Sequence, residues 1–368
     1  MQRLRAIDAD GHVTESHVDW AQRMPAAYRD RAPVVVQDEH GQPVMMFDGY
    51  RFPNPISEGK GRWVSNQVPV KANPAGMRDP AARLPDMDLE GIDVAVLYGT
   101  TIAFHANSTD DWRYADALCR AWNDWAAEYC AAAPERLKFA ALVAMGEARA
   151  AAEEAESAVR ERGAVGVTVM PNHLGRSLDQ TFFDPLYSAL QRLDVPLCVH
   201  GMTGSSPYFT CLGRHDNWLI THAMSFPMGL IHALASVVCG GVLERFPTLR
   251  VAFLEGGCGW LPFFMDRLDE HVEKLPSLVP WLTKSPSEHI RGGRVYITCE
   301  PEEDLAYPIS RVGEDMIMYA SDYAHWDCEF PHSATKIAER DELTPTQKDK
   351  ILRENALRFY GLSVPAAV

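Results

Sequence analysis

Asp10 and His12 close the first apolar run of the chain, in the stretch Ile7-Asp8-Ala9-Asp10-Gly11-His12-Val13-Thr14-Glu15. On a strand, positions two apart share a face. A carboxylate and an imidazole therefore leave one strand end side by side, which is half of a divalent-metal site. The competing reading is a solvated turn that happens to hold an Asp and a His. Further ligands, supplied by the rest of the chain, must decide between the two.

Ligands of one ion must come from elements whose ends converge. Eight short β-branched or apolar runs recur along the sequence: Ala6–Asp10, Asp93–Leu97, Phe139–Ala144, Gly166–Met170, Val195–His200, Arg250–Glu255, Val295–Cys299 and Met316–Ser321. Segments with helical periodicity separate them. Ala151, Ala155, Ala158 and Val159 mark one helix face that ends at Gly163, a residue suited to a C-cap. Asp184-Pro185 reads as an N-cap followed by proline at the first helical position, and Thr344-Pro345 repeats the signal for a last helix ending at Gly361. Strand and helix in alternation imply right-handed βαβ units and a parallel sheet. Eight such units predict an α/β fold, a distorted (β/α)8 TIM barrel, with residues 1–368 forming a single domain.

A barrel of this kind builds its site at the C-terminal strand ends, so the residues that terminate the runs are the test. The first run ends in Asp10 and His12, the fifth in His200, the sixth in Glu255, the seventh in Glu300 and the eighth in Asp322. Two imidazoles with two carboxylates suit zinc, iron(II) or manganese and leave a position open for water. Water on such an ion becomes a nucleophile near neutral pH, and a neighbouring carboxylate such as Asp322 can take its proton. Weaker candidates surround this set. His325 follows Asp322 by three positions, Glu15 follows His12, and Asp8 shares a strand face with Asp10. His222 and His232 lie in a helical stretch and read as surface or satisfied histidines. Trp63, Tyr98 and Trp326 could line an aromatic-accepting pocket or simply pack.

Residues 16–90 do not fit a minimal barrel. They include an expected hairpin, Val34-Val35-Val36-Gln37 and Val44-Met45-Met46-Phe47 around His40-Gly41, and an irregular stretch marked by Pro53, Pro55, Gly59 and Gly61. An insertion at a βα loop lies on the catalytic face, so this segment is expected to lid or wall the pocket; capping the barrel bottom or a dimer contact is the alternative. The net charge of -15 argues against a nucleic-acid partner. Eight scattered cysteines without a Cys-x-x-Cys pair, a start lacking a signal-peptide core and the lack of a long apolar stretch give the expectation of a reduced, cytoplasmic protein with no membrane partner.

Several of these pieces resemble a known family. They are Asp8-Ala9-Asp10-Gly11-His12-Val13-Thr14-Glu15, Gly91-Ile92-Asp93-Val94-Ala95-Val96-Leu97, Val195-Pro196-Leu197-Cys198-Val199-His200, Arg245-Phe246-Pro247, Glu255-Gly256-Gly257-Cys258-Gly259-Trp260 and Ala320-Ser321-Asp322-Tyr323-Ala324-His325. In this order they resemble the metal-dependent amidohydrolase superfamily, in the branch related to aminocarboxymuconate-semialdehyde decarboxylase. The resemblance assigns Asp10, His12, His200 and Asp322 as ligands of one divalent metal ion (Zn, Fe(II) or Mn), and it implies a homodimer. Two departures stand out. The first ligand is an aspartate, and Glu255 stands where the family's decarboxylases usually open a His-Gly-Gly-Gly-like stretch with a catalytic histidine.

A glutamate at that place weighs against ordinary decarboxylation. The leading expectation is a metal-dependent hydrolase, in which metal-activated water attacks a carbonyl-type carbon (amide, ester, thioester or C–C bond) of a small organic acid or acyl derivative. Asp322, Glu255 and His325 are its expected catalytic residues. The alternative is a non-oxidative decarboxylase of an aromatic or muconate-like acid. A barrel kept only as a binding module is disfavoured by the intact ligand set.

Overall fold

The computed structural model describes residues 4–37, 43–48, 50–52, 74–201, 215, 217–323, 325 and 327–363. Eight parallel strands follow one another in chain order: β1 (Ala6–Val13), β2 (Ile92–Gly99), β3 (Leu137–Leu142), β4 (Gly166–Val169), β5 (Leu197–His200), β6 (Val251–Leu254), β7 (Val295–Cys299) and β8 (Ile317–Tyr319). The segment after β8 returns to β1. There the Asp322 N–H donates to the Asp10 carbonyl at 3.1 Å, and the His12 N–H donates to the Tyr323 carbonyl at 2.8 Å. These two bonds bring the sheet edges together, as the (β/α)8 expectation requires.

Strands buried on both faces read as nearly continuous apolar runs, and alternation sorts their side chains into two layers. Ile7, Ala9, Val96, Tyr98, Cys198, Leu254 and Met318 form one cluster inside the barrel. Val13, Leu97, Val199, Phe253, Ile297 and Tyr319 pack outward against the helices. The helix Asn355–Tyr360 supplies Phe359 and Tyr360 to the inner cluster. The Tyr360 hydroxyl donates to the Ala9 carbonyl at 2.7 Å and lies 2.6 Å from the Tyr98 hydroxyl. Tyr98 is thus part of the floor beneath the site.

Gly163 caps the helix Ala148–Arg162 at φ +77°, and Thr344 forms a capping box with Gln347, both as expected. Asp184 departs from expectation. It is the first helical residue of Asp184–Leu193, because a 3-10 turn, Thr181–Phe183, runs directly into that helix. Its carboxylate instead accepts from Arg245 at 3.1 Å. The helix Trp218–Cys239 corrects another expectation, since Leu219–Cys239 is long and apolar enough to cross a membrane by length and composition. Its Leu230, Ala233, Leu234, Val237 and Val238 are instead fully buried in the barrel's outer layer.

Within 16–90 the expected hairpin is a three-stranded antiparallel sheet, Val34–Gln37, Pro43–Phe47 and Tyr50–Phe52. His40, Gly41, Pro53, Pro55, Gly59, Gly61 and Trp63 lie outside the described residues. Arg31 fastens this sheet to the barrel. It pairs with Asp48 at 2.6 Å and with Asp111 at 2.8 Å, the residue that caps the helix Trp112–Cys130. The Tyr114 hydroxyl, on the first turn of that helix, donates to the Arg31 carbonyl at 2.8 Å.

Candidate metal centre

Ile7 and Ala9 face the barrel interior, so strict alternation would send Asp10 and His12 outward. The pairing of β1 with β2 shows why they point in. Asp8 pairs with Ala95 and Gly11 with Leu97, so β1 uses one residue more than its partner over the same stretch. This bulge shifts the phase of the strand and sets His12 opposite the inward-facing Tyr98. Gly11 permits it: a Cβ there would lie 2.5 Å from Asp8 Oδ2 and 2.7 Å from Arg83 Nη2. The Asp8 carboxylate is turned to the far edge of the sheet, accepting from the Ser321 N–H at 2.9 Å and the Ser321 hydroxyl at 2.6 Å. Asp8 therefore holds β1 to the end of β8 and stays out of the ligand cluster. Arg83, fully buried, donates to the His12 carbonyl at 2.7 Å and lies 4.0 Å above the Tyr323 ring.

His200 needs no such device. It follows the inward Cys198 by two positions on β5. Its Nδ1 lies 2.6 Å from the Gly201 carbonyl, a contact that places the proton on Nδ1 and turns Nε2 to the centre. Asp322 likewise keeps the phase of the inward Met318, although its backbone has φ +47°. Glu255 follows the inward Leu254 and should face out; its left-handed backbone, φ +55°, turns it in. Glu303 clamps the turn after it. The Glu303 carboxylate accepts from the N–H groups of Cys258 at 2.9 Å, Gly259 at 3.0 Å and Glu300 at 2.9 Å. Gly257, at φ +64°, leaves room for that carboxylate, which a Cβ would approach to 2.5 Å.

The side chains converge on a small volume. Asp10 Oδ1 lies 3.6 Å from His12 Nε2 and 3.5 Å from His200 Nε2. Glu255 Oε2 is 3.0 Å from His200 Nε2 and 3.4 Å from His12 Nε2. Asp322 Oδ1 is 3.5 Å from His12 Nε2 and 2.6 Å from His325 Nδ1. Donors about 2.1 Å from one ion at tetrahedral or octahedral angles stand roughly 3.0 to 3.4 Å apart. Asp10 Oδ1, His12 Nε2 and Glu255 Oε2 are buried with no hydrogen-bond partner outside the cluster, a costly arrangement unless another group satisfies them. One divalent cation fits this set in spacing, donor type and charge.

The electrostatics agree. Burial holds the Asp322 carboxyl well above the usual range, and the carboxylates of Glu255, Asp327 and Asp10 push it further. Glu300, at the end of β7, is raised well above its usual value by burial and by Asp322 and Glu255. Burial would lower His200, but Asp10 and Glu255 outweigh it and raise the imidazole well above its usual value. Burial would raise Glu255, yet His200 and His12 hold it well below the usual carboxylate range.

The structure places Asp10, His12 and His200 in one cluster with Glu255, and Asp322 and His325 in a second cluster that shares His12 and Glu255 with the first. The His325 ring lies 4.1 Å from that of His12, and its Nε2 lies 3.3 Å from Thr100 Oγ1. Glu15 is buried outside the cluster, accepting from Trp122 Nε1 at 3.1 Å and the Thr101 N–H at 3.0 Å. His232 is exposed on its helix. His222 is nearer the centre than a helical surface position suggests, since Asp327, Glu255 and His325 all act on its charge. Trp326 lies outside the described residues. Arg83 and Glu303 carry no sequence signal, because both act on backbone groups of residues distant in the chain.

A family profile described as Amidohydrolase matches residues 7–362. The chain belongs to the amidohydrolase family. Among its curated relatives, 2-amino-3-carboxymuconate-6-semialdehyde decarboxylase of Dictyostelium discoideum is 25% identical over 293 residues, 77% of each chain. Gamma-resorcylate decarboxylase of a Rhizobium species is 28% identical over 297 residues, covering 76% of this chain and 86% of the relative. An amidohydrolase from Mycobacterium avium subsp. paratuberculosis superposes with a TM-score of 0.80 at 22% identity, over 98% of this chain and all of that one. The 5-carboxyvanillate decarboxylase of Novosphingobium aromaticivorans, solved with manganese and 3-methoxy-4-hydroxy-5-nitrobenzoic acid, superposes at 0.69 and 22% identity, over 98% and 97% of the two chains. This amidohydrolase thus shares its barrel with enzymes that remove carboxyl groups, which shifts weight from the hydrolase expectation to its alternative.

Proposed function

We propose that this amidohydrolase is a metal-dependent, non-oxidative carboxy-lyase acting on a small aromatic or muconate-like acid. One observation carries the reading: relatives aligned over about three quarters of the chain are named as decarboxylases of a resorcylate and of an aminocarboxymuconate semialdehyde. The clustered donors at the barrel's C-terminal end support it. Asp10, His12 and His200 would hold one divalent ion, with Asp322, whose Oδ1 lies 3.5 Å from His12 Nε2, as the fourth ligand that the family resemblance implies. When bound, that ion anchors the acid and stabilises the charge that develops as the C–C bond breaks.

The chain's own residues supply the rest. Loss of carbon dioxide leaves its electron pair on the former α-carbon, which must then take a proton. His325 is placed to deliver it, with Nδ1 held 2.6 Å from Asp322 Oδ1 and its ring aligned by Thr100. The proton returns to His325 from solvent, to which its side chain remains 17% exposed. His12 and His200 are fully buried, which keeps bulk water from competing at the reacting carbon.

Hydrolysis is a second reading, favoured by Glu255 standing where a catalytic histidine is expected in the decarboxylases. In that case water in the centre attacks a carbonyl carbon, and Asp322 takes its proton. The Mn2+-loaded protein should be assayed in 18O-labelled water with 2,6-dihydroxybenzoate and related acids, and with their esters and amides, which carry a leaving group for water to displace. Carbon dioxide release with no label in the remaining product supports the lyase; label entering a product carboxylate with no carbon dioxide sinks it. His200→Ala should lose stoichiometric metal and about 1,000-fold or more of whichever activity is found. Full metal content in that variant would remove His200 from the ligand set.

A further inference from the structure

We propose that Glu255 is a fifth protein ligand of the ion, so that the centre holds three carboxylates and two imidazoles and keeps no free base on the β6 side. The proposal rests on the metal centre and is independent of which reaction the centre performs. Glu255, rather than Asp322, completes the group of four with Asp10, His12 and His200 whose ligand atoms all lie within 4.8 Å of one another. Its Oε2 stands closer to both imidazoles, at 3.0 and 3.4 Å, than Asp322 Oδ1 stands to His12, at 3.5 Å. That same oxygen is buried and has no partner apart from these two imidazoles. A carboxylate serving as a free base would instead present an oxygen to the substrate.

The backbone is built for this placement. A non-glycine residue at φ +55° is strained and persists where the surroundings enforce it. Here the Glu255 N–H donates to Thr298 Oγ1 at 3.1 Å, and Glu303 holds the following turn through the N–H groups of Cys258 and Gly259. Both anchors come from β7 or the loop after it, so Glu255 is fixed by a neighbouring strand before any ion arrives. The donor set then carries three negative charges against the ion's two positive ones. Carboxylate-rich sets favour harder cations, which places Mn2+ ahead of its usual standing relative to Zn2+.

The test is Mn2+ titration of chelator-treated protein, read by loss of the free-ion EPR signal, for the unmodified chain, E255Q and E255H, with circular dichroism to confirm folding. E255Q should weaken Mn2+ binding about 100-fold. E255H should still bind, with its preference moved toward Zn2+ by about tenfold. Mn2+ affinity in folded E255Q within threefold of the unmodified chain overturns the assignment. Should E255Q not fold, anomalous diffraction from Mn2+-soaked crystals of the unmodified chain decides: an ion about 2.0 to 2.2 Å from Glu255 Oε2 supports the ligand, and one beyond roughly 3.5 Å overturns it. Failure of the unmodified chain to bind Mn2+ would overturn the metal centre itself, a result separable from binding that ignores E255Q.

Discussion

Strand β5 delivers His200 to the centre by plain alternation from Cys198, whereas β1 and β6 must break alternation to deliver Asp10, His12 and Glu255, and the segment after β8 delivers Asp322 in phase with Met318 but on a left-handed backbone. The regular strand needs little help: the Gly201 carbonyl orients the His200 ring. Each irregular strand carries an ionic support instead. Asp8 and Arg83 brace the β1 bulge, and Glu303 braces the turn after β6. Placing a ligand against the strand's own phase has a structural cost, and the supports mark where that cost is met.

This comparison can be broken most forcefully at Arg83. Arg83→Met leaves the buried Asp8 carboxyl without its nearby cation and the His12 carbonyl without its donor. Losing the buried guanidinium leaves that carbonyl unsatisfied and removes the stacking on Tyr323, at about 3 kcal/mol or more, measurable by urea unfolding, and Mn2+ affinity should fall about tenfold as the bulge relaxes. A variant equally destabilised but with unchanged Mn2+ affinity would show that Arg83 supports the fold and not the ligands.

Glu15, just past β1, sharpens the comparison because it is buried on the outside of the same strand end. Burial pushes its carboxyl up to about 7 from an ordinary 4.5, although Thr101 and Trp122 donate to it. The folded value lies above the unfolded one, so this residue's contribution to stability is complete below about pH 4.5 and is lost as pH rises through 7. The change amounts to something on the order of 3 kcal/mol. Unfolding free energies at pH 5, 6, 7 and 8 should decline more steeply for the unmodified chain than for Glu15→Gln. Parallel slopes would refute the linkage.

The smallest expected effect is at Glu303. Glu303→Gln keeps the side chain's size but replaces a charged acceptor of several backbone N–H groups with a neutral amide, at about 2 kcal/mol. If the β6 turn is held in place by that charge, Mn2+ binding weakens by about tenfold as well, while the Asp8 side of the centre is untouched. Equal Mn2+ affinity in both proteins would make the turn self-supporting.

Strand-end residues were readable from sequence because polar groups that terminate apolar runs stand out against their neighbours. His12, His200, Glu255 and Asp322 all stood out in this way, and so did the eight-strand count. What alternation could not show was direction. Nothing in Ile7-Asp8-Ala9-Asp10-Gly11-His12 announces an extra residue, because a bulge is defined by the partner strand, here Ala95 to Leu97. The supports were equally silent. Arg83 lies in a helix whose other buried residues are Met87 and Glu90, and its role appears only when the His12 carbonyl is found beside it. The third strand of the insertion, Tyr50–Phe52, was missed because three residues are too few to show a period.

The bulge in β1 also bears on how such a centre is gained or lost. Ile7 and Ala9 before it and His12 after it all face inward, so the strand carries two reading frames joined between Asp8 and Gly11. Deleting Ala9 would restore a single frame and leave Asp10 and His12 inward, because Gly11 stays opposite Leu97 and His12 opposite Tyr98; flattening the bulge without a deletion is what would swing His12 into the helix layer. Two chains could match at every position of this strand and differ in metal chemistry through the pairing of this one stretch. For descendants of this fold, a one-residue gap at that point is compatible with an intact ligand set.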